Sequence, residues 1–280
     1  MNEMTRKYWT IIAVLVMAAM LLTACGGGSE AEQPGQNVQQ GNIEDDFLWN
    51  GDMITGFSTV GESKTEIVIP ARCTGFDGTL FLTGSEAAKV IRFESSADID
   101  IQTQFCYNFN LTQVQLPSGM TMIPDMAFVE CTSLERMEIP AAVEKIGDYA
   151  FSDNTALEQL SFAGSALKTI GNSAFSGCTA LTKIELPGNI EVIGENAFRD
   201  CAKLTVFTVP SSVKVIGMGA FVGSGLTDVY IPENVVLDSI GYDAFAQPLA
   251  PVTIHVVEGS WADLNFDTLF NNYTCYKSYD

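Results

Sequence analysis

Residues 134–151, LERMEIPAAVEKIGDYAF, carry the pattern that decides the fold of this chain. The pattern is an apolar-polar alternation that ends at a proline, then an apolar-x-x-Ile-Gly segment, then the dipeptide Ala-Phe. It occurs six times between Asn110 and Phe245, with successive Ala-Phe dipeptides 23, 24, 23, 23 and 24 residues apart. A unit this short cannot bury its own apolar side chains and must stack on copies of itself. The sequence therefore predicts a solenoid.

Each repeat begins with a period-two alternation, the pattern of a half-buried strand. In the first copy, Val114 and Leu116 alternate with Gln113 and Gln115 before a proline. One such strand per repeat, about 4.8 Å from the next, predicts a parallel β-sheet on one face of the solenoid. The predicted strands are Leu111–Leu116, Leu134–Ile139, Leu157–Phe162, Leu181–Leu186, Leu204–Val209 and Leu226–Ile231.

The second half of each repeat predicts a short extended segment and then a turn or a single turn of 3-10 helix, with little α-helix. The glycine of Ile-Gly closes the extended segment, where its permissive φ is expected to be useful. The phenylalanine of Ala-Phe is expected to fill the core, so that the phenylalanines of successive repeats form one column.

The ends of the repeat array depart from the pattern, as terminal repeats that must shield an open core commonly do. Residues 47–103 are predicted to be an N-terminal cap with degenerate repeats, including Ala88–Phe93. Residues 104–250 are the regular repeats, and residues 251–280 are a last strand and a cap. In that cap, Trp261–Tyr279 is predicted to leave the repeat and cover the core.

The first residues predict export. Arg6 and Lys7 precede an apolar run, Trp9–Leu22, that is shorter than a membrane span of about 20 residues, so residues 1–24 are predicted to be a secretory signal. The run ends in Leu22-Thr23-Ala24-Cys25, which resembles the lipobox of bacterial lipoproteins. That resemblance implies lipid attachment at Cys25, which would become the first residue of the mature chain. An ordinary signal peptide with an incidental cysteine is the alternative.

Residues 25–46 are predicted to be a disordered tether, because they carry almost no apolar side chains and cannot offset the entropy of ordering. Such a tether would hold the folded part roughly 25 Å from the bilayer. The formal net charge of -20 argues against a nucleic-acid partner, since it repels phosphate backbones. Solubility is the simplest explanation of the acidity, and we expect a monomer.

Cysteines occupy one recurring position. Cys131, Cys178 and Cys201 each stand three residues after the phenylalanine of Ala-Phe, where other repeats carry Asn154 or Ser224. A position that accepts Cys, Asn or Ser indicates a buried turn whose side chain bonds to neighbouring backbone. Neighbouring coils would bring Cys178 and Cys201 within disulfide reach, and the spacing leaves open whether they are bridged.

The repeated Leu-Thr-x-apolar-x-Ile-Pro, Ile-Gly and Ala-Phe elements, with Ser/Cys-Thr-x-Leu between copies, resemble the BspA-like leucine-rich repeats (the LRR_5 type) of bacterial and protist surface proteins. The resemblance extends over roughly residues 54–256 and departs from the pattern at residues 61–96, Ile123-Pro124 and Ala163. It implies a leucine-rich-repeat solenoid and attachment to host proteins, matrix or other microbes. It implies no shared ligand.

The outward residues of the predicted sheet are the candidate ligand face, because solenoids commonly bind along such surfaces. Arg136, Lys183 and Tyr230 are the expected anchors, since Arg and Tyr are enriched at binding hot spots. A merely solvated sheet face is the alternative. The candidate residues are Arg92, Gln113, Gln115, Arg136, Glu138, Gln159, Lys183, Glu185, Thr208, Asp228 and Tyr230.

The sequence offers little to an enzyme. His255 is the only histidine, which excludes sites with several histidines, and the carboxylates are spread at repeat intervals. We therefore predict no catalytic residue, no metal and no cofactor, and a hydrolase is a remote alternative. The alternation around His255 suggests an exposed member of the last strand.

The predicted function is ligand binding at the cell surface. The chain is expected to be a lipid-anchored protein that binds an extracellular protein or glycan. A passive spacer or an accessory domain of a surface complex is the alternative. The glycines after Cys25 favour a Gram-positive exterior and leave an outer membrane open.

Overall fold

The computed structural model describes residues 43–77, 87–246, 251–270 and 275–279. The predicted signal peptide, Cys25 and most of the predicted tether lie outside these residues. Ile43–Asp46, assigned above to the tether, is a turn of 3-10 helix. The carboxylate of Asp46 is buried and accepts a hydrogen bond of 2.7 Å from Lys64 Nζ. The folded part therefore begins before residue 47.

The described chain forms a β-solenoid with little helix. Its strands in chain order are β1 (Phe47–Asn50), β2 (Met53–Phe57), β3 (Glu66–Ile69), β4 (Gly75–Phe76), β5 (Val90–Phe93), β6 (Gln113–Gln115), β7 (Met122–Ile123), β8 (Arg136–Ile139), β9 (Lys145–Ile146), β10 (Gln159–Phe162), β11 (Thr169–Ile170), β12 (Val192–Ile193), β13 (Val206–Thr208), β14 (Val215–Ile216), β15 (Asp228–Ile231), β16 (Ser239–Ile240), β17 (Val252–Val256) and β18 (Cys275–Tyr279).

The strands lie on two faces of the coil. One face carries the sheets β10-β8-β6-β5-β3 and β13-β15-β17-β18, and the other carries β16-β14-β12-β11-β9-β7. All pairs in these three sheets are parallel, which confirms the predicted parallel sheet. A small sheet, β1-β2-β4, lies at the N-terminal end, and its β1-β2 pair is antiparallel.

The first face is interrupted where a strand was predicted at Leu181–Leu186. In that coil only Lys183 forms a bridge, to Gln159, and β13 pairs with β15 but not with this segment. Phe207 of β13 is an aromatic residue in an inward row whose other members are not aromatic, and its ring centroid lies 4.5 Å from that of Phe221. The larger Phe207 side chain therefore coincides with the break in the sheet.

The phenylalanines of the repeats form a single column through the core. Consecutive rings are stacked with centroids 5.1–5.4 Å apart and planes within 3–15° of parallel. All are buried, which confirms the expected column. Its members are Phe105, Phe128, Phe151, Phe175, Phe198, Phe221 and Phe245.

The second face is a sheet of two-residue strands followed by hydrogen-bonded turns, where short turns or 3-10 segments were expected. The glycine of Ile-Gly is required here by close packing and not, as predicted, by a permissive φ. A Cβ on Gly194 would lie 2.6 Å from the carbonyl carbon of Gly171 in the coil before it. A Cβ on Gly217 would likewise lie 2.5 Å from the backbone nitrogen of Glu195 in the coil before it. A side chain at this position would force the coils apart.

Two turn positions of the repeat adopt the left-handed conformation in the described regular repeats up to residue 246, which the pattern alone did not reveal. One immediately precedes Ala-Phe, as at Tyr149 with φ of 58°. The other lies two residues after the phenylalanine, as at Glu130 with φ of 55° and Gly177 with φ of 75°. Left-handed φ disfavours side chains with a Cβ, so several of these residues are strained in the native turn.

The recurring Cys/Asn/Ser position bonds to backbone, as predicted. The Cys178 Sγ donates to the carbonyl of Phe151 at 3.2 Å, and Asn154 Nδ2 donates to that of Phe128 at 2.7 Å. The six cysteines in the described residues are all free thiols, so Cys178 and Cys201 are not bridged. Burial raises the pKa of Cys178 well above its usual value and that of Cys201 to about 12.

The C-terminal cap covers the column. Helices α1 (Trp261–Leu264) and α2 (Phe266–Phe270) follow the last strand, and buried Phe270 lies 6.3 Å from the ring of Phe245. Trp261–Tyr279 was predicted to leave the repeat, yet β18 pairs in parallel with β17 and extends the sheet by one strand.

Candidate ligand-binding face

The predicted ligand residues lie together on the outward side of the first face. Here we call this surface the strip, defined as the outward side chains of β5, β6, β8 and β10, the Lys183–Glu185 segment, β13 and β15. Asp228 and Tyr230 are partly buried. The exposed candidates are Arg92, Gln113, Gln115, Arg136, Glu138, Gln159, Lys183, Glu185 and Thr208.

Charges on the strip are balanced. Arg92 Nε lies 2.8 Å from Glu66 Oε1 in the neighbouring strand, and Lys183 forms an ion pair with Glu185 two residues along its own coil. The hydrogen bond from Lys183 lowers the pKa of Glu185. Arg136 and Glu138 are the two outward residues of β8. The amide side chains of Gln113, Gln115 and Gln159 lie on the neighbouring strands β6 and β10.

Three hollows lie in a row along the strip. The first, of about 500 Å³, is lined by residues of β6, β8 and β10, and the second, of about 540 Å³, by residues of β10 and the Lys183 coil. They share Gln159 and Ser161 as a common wall. The third, of about 730 Å³, shares Lys183 and Glu185 with the second and reaches β13. The hollows therefore form one trough across successive coils.

The third hollow coincides with the break in the sheet. It is lined by the Lys183 coil on one side and by β13 on the other, two segments without a backbone hydrogen bond between them in the described structure. Its walls combine apolar Ile184, Leu186 and Val206 with the hydroxyls of Thr182 and Thr208. Sequence reasoning missed this feature, because Leu181–Leu186 has the pattern of its neighbours.

A hydrogen-bonded cluster closes the C-terminal end of the strip. His255 Nε2 lies 2.8 Å from Asp228 Oδ1, and the His255 ring stacks on that of Tyr230 with centroids 4.2 Å apart. Thr227 Oγ1 donates to the other oxygen of Asp228 at 2.8 Å. The bond from His255 and then that from Thr227 lower the pKa of Asp228. The side chain of His255 is only 15% exposed, less than the predicted exposed strand position.

Polar side chains on the opposite face serve stacking. Lys168 Nζ lies 2.9 Å from Glu144 Oε2 one coil away, and the residues at this position alternate in charge along the axis. Asp148 Oδ1 accepts from the backbone N–H of Asn172, whose own Oδ1 accepts from that of Glu195. These rows of ion pairs and hydrogen bonds therefore help to hold neighbouring coils together. The alternating set is Glu144, Lys168, Glu191, Lys214 and Asp238.

Two further features bear on the possible class of site. Across the described ranges, no three His, Cys, Asp or Glu side chains converge as a metal site would require. None of the helices in the described part of the chain has the length and apolarity of a membrane span.

The stacked coils, parallel sheets and phenylalanine column define a leucine-rich-repeat solenoid. The family model for the BspA type leucine rich repeat region matches residues 61–166, 99–224 and 153–260, with 6 copies. The chain belongs to this family. The comparison with curated proteins finds no match.

One solved structure shares the fold, and others align less closely. A leucine-rich repeat protein from Bacteroides ovatus aligns with a TM-score of 0.56 and 22% identity, over 80% of this chain and 55% of its own length. The chain thus spans about half of that protein. A Treponema pallidum (T. pallidum) leucine rich repeat protein aligns with a TM-score of 0.41 and 22% identity, over 68% of this chain and 78% of that one. The pneumococcal vaccine antigen PcpA aligns with a TM-score of 0.42 and 18% identity, over 77% of this chain and 78% of that one.

Proposed function

We propose that this protein is a lipid-anchored surface protein that binds an extracellular protein or glycan through the strip. The observation that supports the proposal is the continuous trough on the strip, with exposed Arg, Lys, Glu and Gln side chains along it. On the opposite face, by contrast, polar side chains such as Lys168, Asp148 and Asn172 bond to neighbouring coils. Solenoids use extended faces of this kind for recognition.

The proposed location rests on the sequence. The run that ends at Cys25 supplies the signal and the acceptor thiol, and attachment of two acyl chains would give stable membrane binding where a single chain is marginal. We propose the exterior of a Gram-positive cell, with the outer membrane of a Gram-negative cell as the alternative. The test is metabolic labelling with a palmitate analogue. Wild-type protein should be labelled and sediment with membranes, whereas Cys25→Ser protein should be neither labelled nor retained.

The proposed activity is binding without catalysis. The only histidine in the chain is hydrogen-bonded to Asp228 and stacked on Tyr230, so its ring helps to hold the end of the strip. Within the trough Lys183 forms an ion pair with Glu185, and the carboxylates of the repeats are spread along the chain at repeat intervals, which does not favour an acid and a base in one cleft.

The test of the strip is a paired set of variants in a binding assay with matrix proteins, mucin and bacterial cells. Arg136→Ala, Gln159→Ala and Lys183→Ala together should reduce saturable binding at least tenfold, because they empty the centre of the trough. Lys145→Ala and Thr169→Ala together alter the opposite face and should leave binding unchanged. Equal effects of both sets would contradict the assignment, and absence of saturable binding would favour the passive spacer.

A further inference from the structure

Four side chains with N–H donors form one row along the strip. Gln113 pairs in register with Arg136, Arg136 with Gln159, and Gln159 with Lys183. All four are exposed, and each side chain carries at least two N–H donors. We call these four residues the donor row. Because they stand on successive coils, a ligand that lies along the solenoid axis meets hydrogen-bond donors over four coils.

Valines bound the donor row at both ends. Val90 precedes Gln113 in the register, and Val206, which is 45% exposed, holds the same place of the repeat in the coil after Lys183. The coils of the row lie 5.2–5.4 Å apart along the phenylalanine column, so the three steps from Gln113 to Lys183 cover roughly 16 Å. An extended peptide advances about 3.3 Å per residue, so the row matches a stretch of about six residues.

Carboxylates flank the donor row on both sides. The strands run across the solenoid axis. Side chains that precede the row in the chain therefore lie on one side of it, and side chains that follow the row lie on the other. The trough is lined on the preceding side by Glu135 and Glu158 and on the following side by Glu138 and Glu185.

The trough has a surplus of negative charge. Its four carboxylates meet only the two cations of the donor row. One carboxylate, that of Glu185, is paired with Lys183, whereas Glu135, Glu138 and Glu158 form no ion pair among the described residues. The formal net charge of -20 adds attraction for cations at longer range. Charge complementarity therefore favours a basic ligand.

The donor row and its acidic flanks together fit an extended peptide. In an extended chain the side chains point alternately to two sides, and the carbonyls project at right angles to them. When the backbone lies over the row, the carbonyls that face it accept hydrogen bonds from Arg136, Gln159 and Lys183. Successive side chains then reach the two flanks in turn, and basic side chains meet carboxylates on both.

We propose that the trough binds an extended basic segment of a partner protein, about six residues long, along the solenoid axis. Its main-chain carbonyls bond to the donor row, and its Lys or Arg side chains pair with the flanking carboxylates. This inference rests on the proposed function of the strip and specifies its ligand class, a protein with a basic segment and not a glycan.

The test is a fluorescence anisotropy titration of the purified protein with dye-labelled, amidated oligolysines of two to eight residues. Affinity should rise several-fold with each added lysine up to hexalysine and less than twofold beyond it, because the valines end the row. A steady rise through octalysine would indicate general attraction to an acidic protein and would overturn the inference.

Spermine separates recognition of the peptide backbone from recognition of charge. It carries the same four positive charges as tetralysine with blocked ends but has no carbonyl, so it should compete at least tenfold more weakly. Gln159→Ala removes a donor without changing the charge. It should weaken tetralysine binding at least threefold and leave spermine binding unchanged. Equal effects on the two ligands would contradict the role of the donor row.

A matched pair of double variants locates the site. Glu135→Gln with Glu158→Gln removes two carboxylates from one flank and should weaken hexalysine binding at least tenfold. Glu62→Gln with Glu195→Gln removes the same charge from exposed positions outside the trough and should change binding less than twofold. Equal losses would show that net charge governs binding and would refute the site. Identical circular dichroism spectra and melting curves would show that both proteins are folded.

The outcomes distinguish the inference from the function on which it rests. Absence of oligolysine binding would overturn the inference. If the set Arg136→Ala, Gln159→Ala and Lys183→Ala still reduces binding to matrix proteins, mucin or cells, the strip remains the binding face and only the ligand class is wrong. If that set changes the binding of none of these ligands, the proposed function fails as well.

Discussion

The ring of Phe151 lies parallel to that of Phe175, with centroids 5.2 Å apart and an interplanar angle of 3°. The two side chains are 24 residues apart in the chain and both are fully buried. Their stacking sets one coil above the next, and each such pair contributes roughly 0.5–1.5 kcal/mol beyond its buried area. The column therefore connects the sequence repeat directly to the stability of the solenoid.

Removal of one ring should show this contribution. Phe175→Ala should lower the free energy of unfolding by about 3–5 kcal/mol, because it leaves a cavity between two fixed coils. Phe175→Leu should cost less, since it fills part of the space. Urea denaturation gives the values. Tyr242→Ala, at a side chain that is 62% exposed, is the control and should change stability by less than about 0.5 kcal/mol.

Relief of a left-handed residue should stabilise the protein. Glu130 has φ of 55°, while the equivalent Gly177 and Gly223 have φ of 75° and 71°. Glu130→Gly should raise the free energy of unfolding by up to about 1 kcal/mol, because the relieved strain exceeds the added entropy of the unfolded chain. Glu158→Gly, outside the left-handed positions, should instead destabilise. The same sign for both variants would show that φ is not the cause.

Two carboxyl groups should give opposite pH dependence. Burial, and then the charge of Asp153, raise the pKa of Glu130, so the stability linked to Glu130 is complete at acid pH and is lost as pH rises through that raised pKa. Glu130→Gln should therefore gain stability over wild type from about pH 4 upward.

The hydrogen bond from His255 lowers the pKa of Asp228, so its contribution is present above the ordinary pKa and is lost as pH falls through the lowered one. Asp228→Asn should be less stable than wild type near neutrality and should converge with it at low pH. Thermal melts of wild type, Glu130→Gln and Asp228→Asn from acid to neutral pH test both directions. If the stability difference from wild type changed with pH in the same way for both variants, the assignment would be refuted.

The buried turn position should accept only side chains that can donate to a carbonyl. Asn154→Cys and Asn154→Ser reproduce residues found there in other repeats and should cost less than about 1.5 kcal/mol. Asn154→Val should cost about 1–3 kcal/mol, since the carbonyl of Phe128 would lose the bond it now accepts at 2.7 Å. Chemical denaturation gives the free energy of unfolding of each of the three variants. Equal losses of stability in Asn154→Ser and Asn154→Val would contradict the role of the hydrogen-bond donor.

Thiol reactivity should follow burial. Cys131, Cys178 and Cys201 are buried and their raised pKa values leave almost no thiolate at pH 8. Cys275 is only partly buried, although burial raises its pKa too. Iodoacetamide at pH 8 should therefore label Cys275 first, as read by peptide mass spectrometry. Rapid labelling of Cys178 in native protein would show that its coil opens.

The repeat determined most of the fold from sequence alone. A spacing of 23 or 24 residues, the period-two alternation and the Ala-Phe dipeptide required stacked coils, because only stacking buries the apolar side chains of so short a unit. The column of Phe128, Phe151 and Phe175 and the donor role of Asn154 followed from the same periodicity. The outward candidates such as Arg136 and Gln159 followed from alternation, which fixes the side of a strand.

The tertiary structure decided what depends on contacts between coils. The break beside Lys183 appears only when the pairing of neighbouring coils is known, and the close approach at Gly194 depends on the backbone of the coil before it. The bond between His255 and Asp228 joins residues that are distant in sequence and adjacent in space. A local pattern records which side chains turn inward. It does not record how far neighbouring coils stand apart, because that distance is set by the packing of side chains from both.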